Sequence, residues 1–141
     1  MVNGNLPDVV QFVLCESAAY DLSSDSWVLV RPYFRLRLPA AEIFPVELER
    51  SALYFQLIDA FGAIKLSVEV RNTKREGLLG YLYRTETYSI ELPKDRSMVE
   101  DVIHLPPMNF LEEAEYEFRL LADGRPLGSR SVVCLNVRKE Q

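Results

Sequence analysis

Phe110-Leu111-Glu112-Glu113-Ala114-Glu115-Tyr116-Glu117-Phe118-Arg119-Leu120-Leu121-Ala122-Asp123-Gly124, continued by Arg125 to Val137, reads as two antiparallel strands closed by a tight turn. Tyr116, Phe118 and Leu120 alternate with Glu115, Glu117 and Arg119. Successive side chains of a strand point to opposite faces, so this spacing predicts one buried face and one wet face. Asp123-Gly124 is the turn, because a type I′ hairpin loop needs positive φ at both central residues.

The same patterning extends outward along the chain. Val9 to Cys15 is a strongly apolar run and the expected first strand. Ala19 to Ser26 is rich in Asp and Ser, whose side chains bond their own backbone, and predicts a turn. Trp27-Val28-Leu29-Val30 continues as strand, and Tyr33 to Leu38 alternates Phe34, Leu36 and Leu38 with Tyr33, Arg35 and Arg37. Pro39 and Pro45 bracket an irregular link whose Ile43 and Phe44 are suited to plug an open end of the fold. Ala52 to Ile58 and Ala63 to Val70 predict a central hairpin, with Gly62 supplying a left-handed residue in its loop. Asn72 to Gly80 is polar, basic and glycine-containing, hence a loop, and Tyr81 to Leu92 is expected as one long strand followed by a turn at Pro93-Lys94-Asp95-Arg96.

Met98 to Leu105 is open to two readings. Ser97-Met98-Val99-Glu100 fits a helix capping box. The run stops within two turns at Pro106-Pro107, however, and so short a helix has little to hold it, which favours a strand. The total is about eight or nine short strands with turns every 8–12 residues, the pattern of an all-β sandwich.

Length and composition agree. The chain has 141 residues, 48% hydrophobic and 26% charged, which suits one folded domain and excludes disorder. The expected domain spans 1–141, with residues 1–7 as a flexible tail. A formal net charge of −5 disfavours a nucleic-acid partner through phosphate repulsion, although a local basic patch remains compatible with it. Met1-Val2-Asn3-Gly4-Asn5 has neither the basic nor the long apolar region of a signal peptide, and no stretch approaches the roughly 20 apolar residues of a membrane span. These features predict a cytoplasmic protein with no membrane partner. Two thiols, Cys15 and Cys134, near opposite ends of the chain, are expected as buried free cysteines in a reducing compartment.

Ala114-x-Tyr116-x-Phe118, preceded by Leu111 and acidic residues, resembles the E–F corner of immunoglobulin-like domains, where a tyrosine near the start of strand F bonds back to the chain. In that resemblance Phe118 takes the place of the second disulfide cysteine of antibody domains, and Cys134 on the following strand implies no such disulfide. The order of elements is also similar to that of a family of small bacterial proteins of unknown function with an immunoglobulin-like sandwich. The marks are Val9 to Cys15, Phe44-Pro45 before Leu53 to Val70, the Tyr20-Asp21 aromatic-acid turn, and the closing Tyr116 to Gly124. The resemblance implies an immunoglobulin-like β-sandwich of about seven to nine antiparallel strands. It implies no activity.

Chemistry-bearing residues are sparse. His104, the single histidine, stands at the end of a predicted strand and reads as a surface or half-buried residue rather than the base of a Ser-His-Asp or Cys-His arrangement. One histidine and two distant cysteines do not make a zinc site. Glu112, Glu113, Glu115 and Glu117 read as a solvated strand face, and Asp21 and Asp25 as turn caps with little claim to calcium. Gly77-Leu78-Leu79-Gly80 lacks the strand-to-helix context of a phosphate loop. Arg31, Arg35, Arg37, Lys74, Arg75 and Arg84 read as cross-strand partners of Glu69, Glu86, Glu115 or Glu117 rather than an anion site. No catalytic residue, cofactor or metal is expected, and the chain is read as a non-enzyme.

Leu78, Leu79, Tyr81 and Tyr83 stand out from this background. Leucines in a glycine-flanked loop should be wet unless covered, and alternate tyrosines offer contact area at low entropy cost. The competing reading folds the loop onto the open end of the sandwich with both tyrosines in the core. The expected function is a protein-binding or assembly module that engages a protein partner or a second copy through a strand edge or through Leu78 to Tyr83. The alternatives are a small-molecule carrier or enzyme with an inter-sheet pocket, and a structural component of a larger assembly.

Overall fold

Period-two patterning runs through nearly every apolar stretch, and the structure is nearly all β. A computed structural model describes residues 7–33, 35–38, 46–58, 62–85, 88–92 and 98–136. In chain order the strands are β1 (Asp8–Asp21), β2 (Ser26–Pro32), β3 (Arg35–Leu38), β4 (Val46–Leu48), β5 (Ser51–Ile58) and β6 (Gly62–Asn72). A 3₁₀ turn, Gly77–Gly80, precedes β7 (Tyr81–Arg84), β8 (Tyr88–Leu92), β9 (Val99–Leu105), β10 (Met108–Phe110), β11 (Ala114–Ala122) and β12 (Arg125–Asn136). Among the described residues one sheet has the order β2-β1-β5-β9, and a larger one has β3-β12-β11-β6-β7 with β8 also on β6. A small β10–β4 pair stands apart.

Both large sheets contribute to one hydrophobic core. Phe12, Leu14, Leu53, Phe55 and Leu57 come from the first, and Leu66, Val68, Val70, Tyr116, Phe118 and Leu120 from the second. Full burial of side chains of this size is worth roughly 1.5–3 kcal/mol each. The β11–β12 hairpin follows the sequence expectation closely. Ala122 stands opposite Arg125, leaving Asp123 (φ +50°) and Gly124 (φ +81°) as the two turn residues. Tyr116, Phe118 and Leu120 are buried and Glu115 is exposed. Within the Met98 to Leu105 stretch, Val99–Leu105 forms the strand β9, as its length argued.

Several expectations are corrected. The predicted central hairpin does not form: β5 lies between β1 and β9, whereas β6 lies in the other sheet beside β11. A hairpin would set Leu53, Phe55 and Leu57 on the same side of one sheet as Ile64, Leu66, Val68 and Val70. Crossing between sheets lets the two rows cover each other in one core. Gly62 does take a left-handed φ of +97°, while residues 59–61 lie outside the described residues.

The predicted strand over Tyr81 to Leu92 is divided into β7 and β8, both paired with β6. At the break the Thr85 amide donates to the Val68 carbonyl (2.8 Å), and the Val68 amide donates to Thr85 Oγ1 (2.8 Å). A side-chain oxygen replaces a backbone carbonyl in the ladder, which ends regular pairing there.

β1 runs past Cys15 to Asp21, so the turn is confined to 22–25. The Asp21 carboxylate accepts from the Ser23 amide (3.0 Å), the Ser23 hydroxyl (2.8 Å) and the Ser24 hydroxyl (2.9 Å), the local bonding expected of such a turn. These bonds hold the Asp21 carboxyl below its ordinary range.

The described residues contain twelve strands rather than seven to nine, because Tyr81 to Leu92 splits and β3, β4, β7 and β10 are only three or four residues long. The β3–β12 pair is parallel, against the expectation of antiparallel pairing throughout. Phe34, Ile43, Phe44, the Pro93 to Arg96 turn and residues 1–6 of the expected flexible tail lie outside the described residues.

Cys15 is buried and free, and its thiol donates weakly to the Ala52 carbonyl (3.5 Å). Burial pushes the Cys15 thiol pKa up. Cys134 stands opposite Ala114 on β12, so the two cysteines belong to strands of different sheets.

Candidate interaction surface

The loop after β6 is tied to the start of β11 by polar side chains that no single motif announces. Asn72, buried at the end of β6, accepts from the Lys74 amide through Oδ1 (2.9 Å) and donates through Nδ2 to Glu112 Oε2 (2.7 Å). The Thr73 amide donates to the Glu115 carbonyl (3.0 Å), and Lys74 Nζ donates to the Glu113 carbonyl (3.0 Å). Arg75 grips Glu112 with two bonds, Nε to Oε2 (2.8 Å) and Nη2 to Oε1 (3.1 Å). This fork geometry is what a planar guanidinium offers a carboxylate. The Arg75 bond first, and Asn72 with it, hold the Glu112 carboxyl below its ordinary range in spite of partial desolvation. The same contact raises the Arg75 pKa.

Tyr116 closes the other side of the corner. It is buried, its ring meets Phe110 edge-on at 4.7 Å, and its hydroxyl donates to the Glu112 carbonyl (2.8 Å). Gly80 ends the 3₁₀ turn against this corner, where a Cβ would come within 2.7 Å of the Arg75 carbonyl oxygen. Together these residues line a cleft of about 260 Å³ walled by Asn72, Arg75, Gly80, Leu82, Leu111, Glu112 and Tyr116. Leu111 is 68% exposed on its rim and Leu82 is half-buried against the core. The cleft therefore offers an apolar wall beside an ion pair whose members are already engaged.

The residues singled out from the sequence border this corner. Leu78 and Leu79 fall in the Gly77–Gly80 turn, and Tyr81 opens β7 opposite Arg71. The side chains of these three lie outside what is described. Tyr83, opposite Val70, is half-buried and packs against the core, the arrangement that the competing reading required of it. Leu82, Leu111, Asn72 and the Arg75–Glu112 pair were not anticipated. The available signal was Leu111 directly after Phe110, since in an alternating strand the two cannot both face the core.

The remaining candidates disperse. His104 is exposed on β9 opposite Ala52. Arg31 lies 3.6 Å from Glu16 across the β1–β2 pair, far in the topology from Lys74 and Arg75, and the side chains of Arg35 and Arg37 lie outside the described residues. Arg84 stands opposite Glu69, as cross-strand pairing anticipates. Arg119, not singled out from the sequence, pairs with buried Glu69 (3.6 Å) and with Glu117 (2.8 Å). Tyr54, Gln56 and Glu100 bond to one another between β5 and β9. Burial first, and the Glu100 bond second, raise the Tyr54 hydroxyl pKa. Among the described residues no group of three or more His, Cys, Asp or Glu side chains is placed to hold a metal ion. No helix among them is long and apolar enough to cross a membrane.

No protein-family model and no curated protein sequence matches the chain. Among solved structures, the chain is similar to an alkylpurine DNA glycosylase, AlkC of Pseudomonas fluorescens, bound to DNA containing an abasic site analog. The likeness has 12% sequence identity and a TM-score of 0.44, and covers 72% of this chain and 27% of that one. The chain thus spans about a quarter of the length of that protein. Two expectations are corrected at this point. The sequence was read as a non-enzyme with no nucleic-acid partner; the similar structure is an enzyme on DNA, at odds with both readings, and neither is carried further. The physical reason is that a missing short motif says little about a site assembled from distant residues, and a net charge says nothing of how charges of either sign are placed over the surface. A likeness this distant carries no argument for glycosylase activity or DNA binding in this chain.

Proposed function

We propose that the chain is an immunoglobulin-like sandwich acting as a protein-binding or assembly module in the bacterial cytoplasm, with its contact surface at Leu78, Leu79 and Tyr81 beside the Leu111–Leu82 cleft. The immunoglobulin-like reading is supported by β1, β5 and β9 neighbouring in one sheet as strands A, B and E do, and β6, β11 and β12 in the other as C, F and G do. The Tyr116 hydroxyl bond to the Glu112 carbonyl has the form of the tyrosine corner at the start of strand F.

The observation that carries the binding reading is an exposed leucine, Leu111, on the rim of an apolar-walled cleft that the Gly77–Gly80 turn borders. Apolar side chains around a small concavity, ringed by engaged charges, suit an apolar anchor from a partner protein. The test is Leu78→Asp with Leu79→Asp in the tagged protein. A stoichiometric partner captured by the wild type and then reconstituted from purified components should lose at least roughly tenfold in affinity with the double variant, at unchanged thermal stability. A large fall in melting temperature would put both leucines in the core and overturn the proposal, as would a partner bound equally by the two proteins.

A further inference from the structure

β1 pairs with β5 from Asp8 to Cys15 and with β2 from Cys15 to Asp21. Beyond Cys15 the β1–β2 hairpin is therefore a ribbon with no third strand among the described residues. A two-stranded ribbon is marginal by itself in water. This one is nevertheless firmly built. Asp21 binds Ser23 and Ser24 at the tip, Tyr20 meets Trp27 edge-on at 5.5 Å, and Glu16 faces Arg31 at 3.6 Å at the base.

Its outer strand carries Trp27-Val28-Leu29-Val30 without interruption, and Val28 and Val30 are each 47% exposed. Edge strands are ordinarily blunted by lysine, proline, an inward charge or a bulge. Between Trp27 and Val30 there is none. Arg31, with φ +54°, and Pro32 come only at the base, where they limit how far pairing can run.

We propose that the β2 edge pairs antiparallel with β2 of a second copy of the chain about a two-fold axis, joining two four-stranded sheets into one. This deepens the reading of the chain as a module that engages protein through a strand edge. Charge selects the second copy as occupant. Arg31 is the single charge in Ser26–Pro32 and already faces Glu16, and a two-fold centred between Val28 and Leu29 sets Trp27 against Val30 and Val28 against Leu29, with Arg31 opposite Ser26 rather than a second Arg31. Glu16, Asp21 and Asp25 around the same ribbon repel phosphates and acidic peptides. One two-fold operation also satisfies the open backbone groups of both edges together. The contact is small, so the dimer is expected near the weak end of specific association, with a dissociation constant on the order of 10 µM.

The experiment is sedimentation velocity of the full chain from about 1 µM to about 500 µM, with amide exchange recorded at both ends of the range. The expected result is a monomer–dimer equilibrium in which those amides of residues 26–31 that point away from β1 gain protection with concentration. Val28→Lys and Val30→Lys should remain monomeric with an unchanged circular dichroism spectrum, and Leu78→Asp with Leu79→Asp should dimerise like the wild type. A wild-type monomer throughout, or a dimer whose concentration-dependent protection lies outside 26–31, overturns the proposal without touching the Leu78 contact, and needs no variant to fold. Loss of partner capture by the leucine variant, with dimerisation intact, leaves this proposal standing.

Discussion

The Tyr116 hydroxyl donates a 2.8 Å hydrogen bond to the carbonyl of Glu112, the residue whose carboxylate Arg75 and Asn72 hold from the other side. One residue thus links β11, the end of β6 and the loop before β7, and the cleft owes its shape to that link. Tyr116→Phe keeps the ring in the core and removes only the donor. A buried acceptor left without its partner costs about 1–2 kcal/mol. The urea midpoint should fall accordingly with an unchanged m-value, and an unaltered midpoint would show that the bond contributes nothing.

Gly80→Ala tests the close approach of the 3₁₀ turn to the Arg75 carbonyl. The new methyl group would meet a backbone oxygen at 2.7 Å, which cannot move as a flexible side chain would. Overpacking of this kind costs about 1–3 kcal/mol. Amide exchange at Thr73 and Arg75 should accelerate together with the loss, because the first amide ties the displaced loop to the Glu115 carbonyl of β11 and the second bonds back to the Asn72 carbonyl. Slow exchange and full stability would mean that the loop yields freely.

Glu112 gives a pH signature. Its carboxyl is held below the ordinary value by Arg75 first and Asn72 second, so its folded pKa is lower than its unfolded one. Its contribution is present above the unfolded pKa and is lost as pH falls through the folded value. Urea unfolding of the wild type and Glu112→Gln should differ most at about pH 6 and converge as pH falls through and below the ordinary carboxylate range. A difference independent of pH would assign the effect to packing.

Cys15 should behave as an inert thiol. It is fully buried between β2 and β5, and burial raises its pKa, both of which suppress the reactive thiolate. In a Cys134→Ser background, labelling of Cys15 by a thiol reagent should be slow in water and rise with urea in step with unfolding. Fast labelling that ignores urea would place the thiol at the surface.

The strand pattern, the Asp123-Gly124 turn and the Tyr116 corner were legible because each is written in neighbouring residues. The proposed contact surface was only partly so. Leu78, Leu79 and Tyr81 could be suspected from local context, whereas Leu111 and Leu82 become neighbours only when the end of β6 is fastened to the start of β11. The Thr85 break escaped notice because one hydroxyl replacing one carbonyl leaves no trace in periodicity.

The sequence by itself determined that the chain is all β, where Tyr116, Phe118 and Leu120 point, and which glycine and aspartate turn the last hairpin. These follow from side-chain alternation and from φ preferences that act within a few residues. Only the tertiary structure decided that β5 and β6 belong to different sheets of one core, that β3 lies parallel to β12, and that Arg75 reaches Glu112. Sheet membership depends on which apolar faces best cover one another, and that is a choice made between segments far apart in the chain.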